Sequence, residues 1–180
     1  MAYFKIFVFL LSLLSQPLLA AETSGLFTVD MSKLFRSSNF GKSIISANNE
    51  ARKNLQSENI KLESKLLLEE KELSEQRKIL SVNEFRPIAL EFDKKVSIIR
   101  KEQNEKEKNL KGKARKEEAE FYKKIYPLLY ELLLDRGGSV LVDQRNVILW
   151  NSSSDITDEA IKLINQELDN STQSNQKVLD

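Results

Sequence analysis

The chain has no cysteine and no histidine. That removes thiol catalysis, disulfide frameworks, zinc fingers, haem ligation by histidine and every catalytic triad with a histidine base. With five glycines and three prolines, it has too few turn formers for a β-sandwich. It also lacks an excess of either charge: 28 basic against 27 acidic residues gives +1, so its total charge gives no reason to expect nucleic acid as a partner. What it does have is charge in quantity, 31% of its residues, a mixture that predicts long helices with few turns. Its 180 residues suit one domain of ordinary size.

Residues 1–21 differ from the rest. They hold one charge, Lys5, and an apolar run from Ile6 to Leu14, followed by Pro17 and Leu18-Leu19-Ala20-Ala21. This pattern predicts a secretory signal peptide cleaved after Ala20 or Ala21. The run is short for the ~30 Å hydrocarbon core of a bilayer, which argues against a membrane anchor. No cysteine follows the cut, so no lipid-anchored form is expected. Export without cysteine suggests a bacterial cell envelope. Losing this stretch removes many apolar residues, leaving the remainder poor in core-forming material. Much of the processed chain must then be solvated or share its core with a partner.

From residue 42 to Leu80 there is neither proline nor glycine, and Ile44, Ala51, Leu55, Leu62, Leu66, Leu73 and Leu80 recur in steps of seven and four. Steps of seven plus four make an eleven-residue period, near 3.67 residues per turn. Ile99, Leu110, Phe121 and Leu132 repeat the same period, with Ala114 and Ile125 on a neighbouring row. Two helices sharing a period are predicted to pair. Ser81 and Glu84 have the spacing of a capping box, with Pro87 expected in the first turn, so the helices form an antiparallel hairpin around residue 81. Forty helical residues make an arm of roughly 60 Å, which must project from any compact body.

The arm is charged but unevenly so. Residues 50–125 carry 20 basic and 16 acidic groups, whereas 126–180 carry 4 and 9. Most of these charges are expected to solvate helices through pairs three or four apart. The excess predicts a mildly cationic face, with Lys94, Lys95, Arg100, Lys101, Lys113, Arg115 and Lys116, offered to anionic clients or anionic lipid head groups. Leu66, Leu67, Leu68, Val82, Phe85, Ile88, Phe92 and Ile98 exceed what one packing stripe needs. Those left exposed are candidate adhesive surface.

Leu26–Asp30 reads as a strand. Gly137-Gly138 should end the second long helix. Ser139–Asp143 and Val147–Trp150 are expected to form a hairpin around Gln144-Arg145-Asn146, giving a three-stranded sheet buried on both faces. Phe27, Val29, Val140, Leu141, Val142, Ile148 and Trp150 are its candidate body residues. Such a small open sheet is marginal alone, which predicts self-association. Asp155 or Thr157 can cap a final helix over Asp158–Leu168, with Ile161, Ile164 and Leu168 inward, before a disordered tail at 171–180. Pro127, where the charged arm meets Leu128–Leu134, is a candidate hinge.

Several motifs do not hold up. Phe40-Gly41-Lys42-Ser43 ends like a phosphate-binding loop, but Arg36 occupies the place of its first glycine, so no nucleotide site follows; Gly41 is read as a helix start. Asp143 and Asp155 read as turn and cap residues. No acid–base or nucleophile constellation is visible, so no enzyme, cofactor or metal site is expected.

Taken together, Phe27-Thr28-Val29-Asp30-Met31-Ser32-Lys33-Leu34-Phe35 with Gly41-Lys42, then Asp135-Arg136-Gly137-Gly138-Ser139-Val140-Leu141-Val142-Asp143, and finally Asp155-Ile156-Thr157-Asp158-Glu159-Ala160-Ile161, resemble the Skp/OmpH family of periplasmic chaperones. The resemblance spans the chain after the signal peptide to about Asn170. It implies a homotrimer whose strands join in a central β-barrel while helical hairpins extend as tentacles around a cavity. It also implies a periplasmic holdase that keeps unfolded outer-membrane β-barrel proteins from aggregating without ATP. The best-known members are strongly basic and this chain is nearly neutral, so no lipid-binding residues are carried over.

The expected fold is therefore α+β and mostly α. Residues 22–45 and 128–170 form the trimerisation body, and 46–127 the helical arm. Two further readings are open: a structural coiled-coil adaptor or spacer of the cell envelope, and a peripheral lipid-binding protein.

Overall fold

A computed structural model describes residues 25–176. The expected signal peptide lies outside the described residues. Elements follow the order β1 (Gly25–Val29), α1 (Met31–Ser37), α2 (Asn39–Ile79), α3 (Val82–Asp135), β2 (Gly138–Asp143), 3-10 turns at Gln144–Asn146 and Ser152–Ser154, and α4 (Thr157–Gln176). Among them no helix is long and apolar enough to cross a membrane.

The two long helices form the hairpin that their shared period predicts. At 1.5 Å per residue, the 41 residues of α2 span ~62 Å and the 54 of α3 ~81 Å. Every predicted seam residue of α2 is half-buried, from Ile44 to Leu80. Along α3, Ile99, Leu110, Ala114 and Leu132 are half-buried and Phe121 and Ile125 fully buried. The turn is capped as expected: the Glu84 carboxylate accepts from the Ser81 backbone N–H at 3.0 Å and from its hydroxyl at 2.6 Å. Those bonds hold its pKa below the usual carboxylate value. Pro87 lies in the second turn of α3, not the first, and the helix runs unbroken through both Pro87 and Pro127.

The core sits at the base of the hairpin. Phe121, Ile125 and Leu129 of α3 meet Leu34 of α1, Val29 of β1, and Ala160 and Ile164 of α4. Phe121 is the centre: Phe35 meets its ring edge-on at 5.0 Å and Phe40 stacks on it at 5.7 Å. Helix α1 was not foreseen. Asp30 caps it, accepting the Lys33 N–H at 2.8 Å, and Leu34 is the residue it buries. Ser38 ends α1 and starts α2, its hydroxyl accepting from Gly41 N–H at 3.2 Å. α2 thus begins two residues before the expected Gly41. A side chain at Gly41 would place its Cβ 1.8 Å from the Phe35 carbonyl oxygen, which is why glycine stands at this corner. Gly137, at φ 67°, ends α3 in the left-handed conformation that glycine adopts freely.

The sheet differs from expectation. It has two strands, not three, and β1 pairs with β2 in parallel, with Leu26 opposite Val140 and Val29 opposite Asp143. The arm is the crossover between them. Val147–Trp150 forms no strand. The Asp143 carboxylate accepts the Arg145 backbone N–H at 3.0 Å and its guanidinium at 2.6 Å, winding Gln144–Asn146 into a 3-10 turn that carries the chain off the sheet. Nor is β2 buried on both faces, since Val140 is 46% exposed.

Helix α4 closes the base. Ile156, Ala160 and Ile164 make its buried face, with Ile161 and Leu168 partly buried beside it. Thr157 draws the end of β1 to it, its hydroxyl accepting from the Asp30 N–H at 2.9 Å. Asn165 accepts from the Asn39 N–H at 2.7 Å. The helix continues to Gln176, so residues 171–176, expected to be disordered, are helical; 177–180 lie outside the described residues.

Candidate functional site

Two surfaces are left uncovered, one on the arm and one on the base. On the arm the seam consumes about one residue per turn and the rest of each helix faces outward. Of the residues expected to be adhesive, Leu67, Leu68, Val82, Ile98 and Ile88 are exposed. Leu66, Phe85 and Phe92 are half-buried, so these three belong partly to the seam. Ile60, Ile79 and Leu90 are also exposed and were not singled out. Their signal was present: each is an apolar residue off the eleven-residue rows.

A groove of about 940 Å³ runs along one side of the hairpin, floored by Leu62, Leu66, Phe92, Val96 and Ile99. A smaller one of about 240 Å³ lies nearer the tip, around Leu73, Ile88 and Phe92.

The predicted cationic face resolves into three kinds of residue. Lys95 is committed to Glu69 across the hairpin at 2.6 Å, and Lys113 faces Glu117 at 3.7 Å on its own helix. Arg100 lines the large groove. Lys94, Lys101, Arg115 and Lys116 are exposed and in no ion pair among the described residues. With Lys108, which sequence reasoning passed over, Lys94, Lys101 and Arg115 make a row with a step of seven.

Further polar contacts set the pairing of the helices. Asn48 Nδ2 donates to Glu117 at 2.8 Å. Glu58 accepts from both Lys106 and Gln103, and these bonds hold its pKa below the usual value. Gln103 Oε1 is buried in the seam without a donor.

On the base, a cavity of about 540 Å³ opens between α3 and the sheet, lined by Tyr122, Tyr126, Leu129, Tyr130, Leu133 and Leu141 among others. Tyr126, Tyr130 and Leu134 stay exposed around it. Of the predicted body residues, Val29 is buried and Phe27, Leu141 and Val142 are half-buried. Ile148 (94%) and Trp150 (45%) are exposed, as is Leu149 (87%). Pro127 lies on the exposed side of α3. Asp143 at the cavity rim has its pKa lowered, chiefly by the Arg145 side-chain hydrogen bond. Among the described residues no group of acidic side chains could hold a metal ion.

Comparison with known proteins points one way. The model of the family described as outer membrane protein (OmpH-like) matches residues 25–164. No curated protein matches the chain. Among solved structures, an OmpH-like protein of Caulobacter crescentus CB15, assigned as an outer membrane chaperone, superimposes with a TM-score of 0.74 at 18% identity. The match covers 79% of this chain and 85% of that one.

Proposed function

The chain belongs to the OmpH-like family of outer membrane proteins, and from that premise we propose that it is an ATP-independent holdase of the periplasm. It binds unfolded outer-membrane β-barrel proteins between helical arms and keeps them from aggregating. One observation carries the reading: the exposed apolar side chains from Ile60 to Ile98 stand on an arm that projects beyond the core, where an unfolded chain can reach them. A binder of the unfolded state opposes aggregation by mass action and needs no fuel. Each such side chain offers on the order of 1.5–3 kcal/mol when fully buried, and less in a mobile contact. Several arms held together make weak contacts additive through effective concentration while each stays reversible.

Self-association, into the trimer that the resemblance implies, is supported by the exposed surfaces of the base. A two-stranded sheet with Val140 at its surface, the adjoining Ile148-Leu149-Trp150 segment and the Tyr126–Tyr130 cavity are apolar surfaces that a single copy leaves wet. The Ile148–Trp150 segment and the cavity lie at different places on one chain, and a head-to-tail contact between them closes into a ring where the rotation between copies returns to its start. Export through a signal peptide removed after Ala20 or Ala21 belongs to the same reading, and so does a hinge at Pro127. Anionic lipid or lipopolysaccharide is a second partner that the exposed row Lys94–Lys101–Lys108–Arg115 fits.

The test is dilution of a urea-denatured outer-membrane barrel into buffer with the purified protein and no nucleotide. The proposal expects suppressed light scattering and a trimer by mass. Undiminished scattering contradicts the holdase, and a monodisperse monomer contradicts the assembly. Binding of one defined envelope protein, with indifference to unrelated unfolded chains, would favour an adaptor instead.

A further inference from the structure

The large arm groove has a charge opposite to that of the arm carrying it. Its rim bears Glu63 and Glu70 from α2 and Asp93 from α3, against the single cation Arg100. None of the three carboxylates is in an ion pair among the described residues, although the arm has four more basic than acidic groups. The smaller groove repeats the arrangement: Glu69, Glu72 and Glu91 line it with Lys95, and that lysine is already held by Glu69. The unpaired cations of the Lys94 row are exposed and do not line either groove. The groove linings are thus net acidic on an arm that is net basic.

The groove's dimensions limit what it can hold. On α3 it runs from Phe92 to Asn104, about 18 Å at 1.5 Å per residue. An extended chain covers that in five or six residues at ~3.3 Å each, about half of a membrane-spanning β-strand of some ten residues. An extended segment needs apolar side chains only on the side toward Leu62, Leu66, Phe92, Val96 and Ile99, so alternation suffices.

We infer that the groove receives short extended segments of alternating apolar residues flanked by lysine or arginine, and discriminates against segments flanked by acids. The inference rests on the holdase reading and names the chemistry of the part of the client that is gripped. The apolar floor supplies affinity that is indifferent to sequence, and the carboxylate rim supplies the choice. Because three exposed carboxylates each attract a lysine flank and repel a glutamate flank by the small amounts typical of surface charges, the preference should be about fivefold or more at low salt.

The experiment uses the full processed protein and two labelled peptides sharing one alternating apolar centre, one flanked by Lys and the other by Glu. Fluorescence anisotropy should show the Lys-flanked peptide binding at least about fivefold tighter. Glu63→Gln/Glu70→Gln/Asp93→Asn, whose side chains keep their size at exposed sites, should reduce the gap to under about twofold with unchanged helicity by circular dichroism. Added salt should do the same, since these charges are solvent-exposed. Equal affinities, preference for the Glu-flanked peptide, no binding of either, or a gap that survives the triple substitution would each overturn the inference. The same preparation is assayed for suppression of barrel aggregation. If suppression persists without the peptide preference, the groove inference alone falls; if suppression is absent, the holdase reading falls.

Discussion

From Lys42 to Glu120 no residue is buried, whereas all nine buried apolar residues among those described lie at the base. Base and arm are therefore stabilised by different physics. The base is a small packed core in which Phe121, Ile125, Leu34 and Ile164 are cut off from water. The arm is two helices on a half-buried seam, assisted by cross-hairpin polar contacts such as Lys95–Glu69 and Asn48–Glu117. The base keeps its exposed apolar side chains around the sheet and the Ile148–Trp150 segment, whereas the thin seam leaves them along the length of the arm. The contrast lets one short chain fold while keeping the exposed apolar arm that the proposed function needs.

The contrast can be broken by substitution, and the largest effects belong to the base. Phe121→Ala removes the ring on which Phe35 and Phe40 pack and should cost about 3–5 kcal/mol in urea unfolding. Gly41→Ala drives a methyl into the Phe35 carbonyl and should cost roughly 1–3 kcal/mol, the usual toll of overpacking. Gly112 is the opposite case. Within α3 a Cβ there meets nothing within 4 Å, so Gly112→Ala should stabilise the arm by about 0.5–1 kcal/mol, read as higher helicity on heating.

Leu67→Ser/Leu68→Ser should change stability by only about 0.5 kcal/mol per site yet visibly weaken suppression of barrel aggregation. An equal loss of folding and holding would show that the surfaces are not separate. The smallest effect is acid-dependent. Asp155 has its pKa lowered although burial alone would raise it, because the Thr157 hydroxyl and N–H donate to it; Asp143 is lowered too. A carboxyl depressed on folding contributes stability that is complete above its unfolded value, near 4, and lost as pH falls through the folded value. The urea midpoint should thus be insensitive to these groups between pH 6 and 8 and should decline below about pH 4.

How far the sequence could be read follows the same division. The arm was readable almost to the residue because a helix pair writes itself as a period, and Ile44 to Leu80 and Ile99 to Leu132 keep theirs. The base was readable only in part. Val147–Trp150 has the composition of a strand, but pairing is a non-local property, and the Asp143–Arg145 contact turns the chain away from β2. Helix α1 was short enough to hide between a strand and Gly41, although the Asp30 cap and Leu34-Phe35 marked it. On the proposed binding surface, exposed leucines could be guessed from excess over the seam. The acidic groove could not, since Glu63, Glu70 and Asp93 gather only when the two helices of the hairpin lie side by side in their actual register.

The central claim is that the wet arm, and not the packed base, takes up unfolded chains. Hydrogen exchange of the purified protein, free and loaded with a urea-denatured outer-membrane barrel, tests it most directly. The account predicts added protection across residues 59–104 with the base around Phe121 unchanged. Protection gained at the base alone, or nowhere, would contradict it.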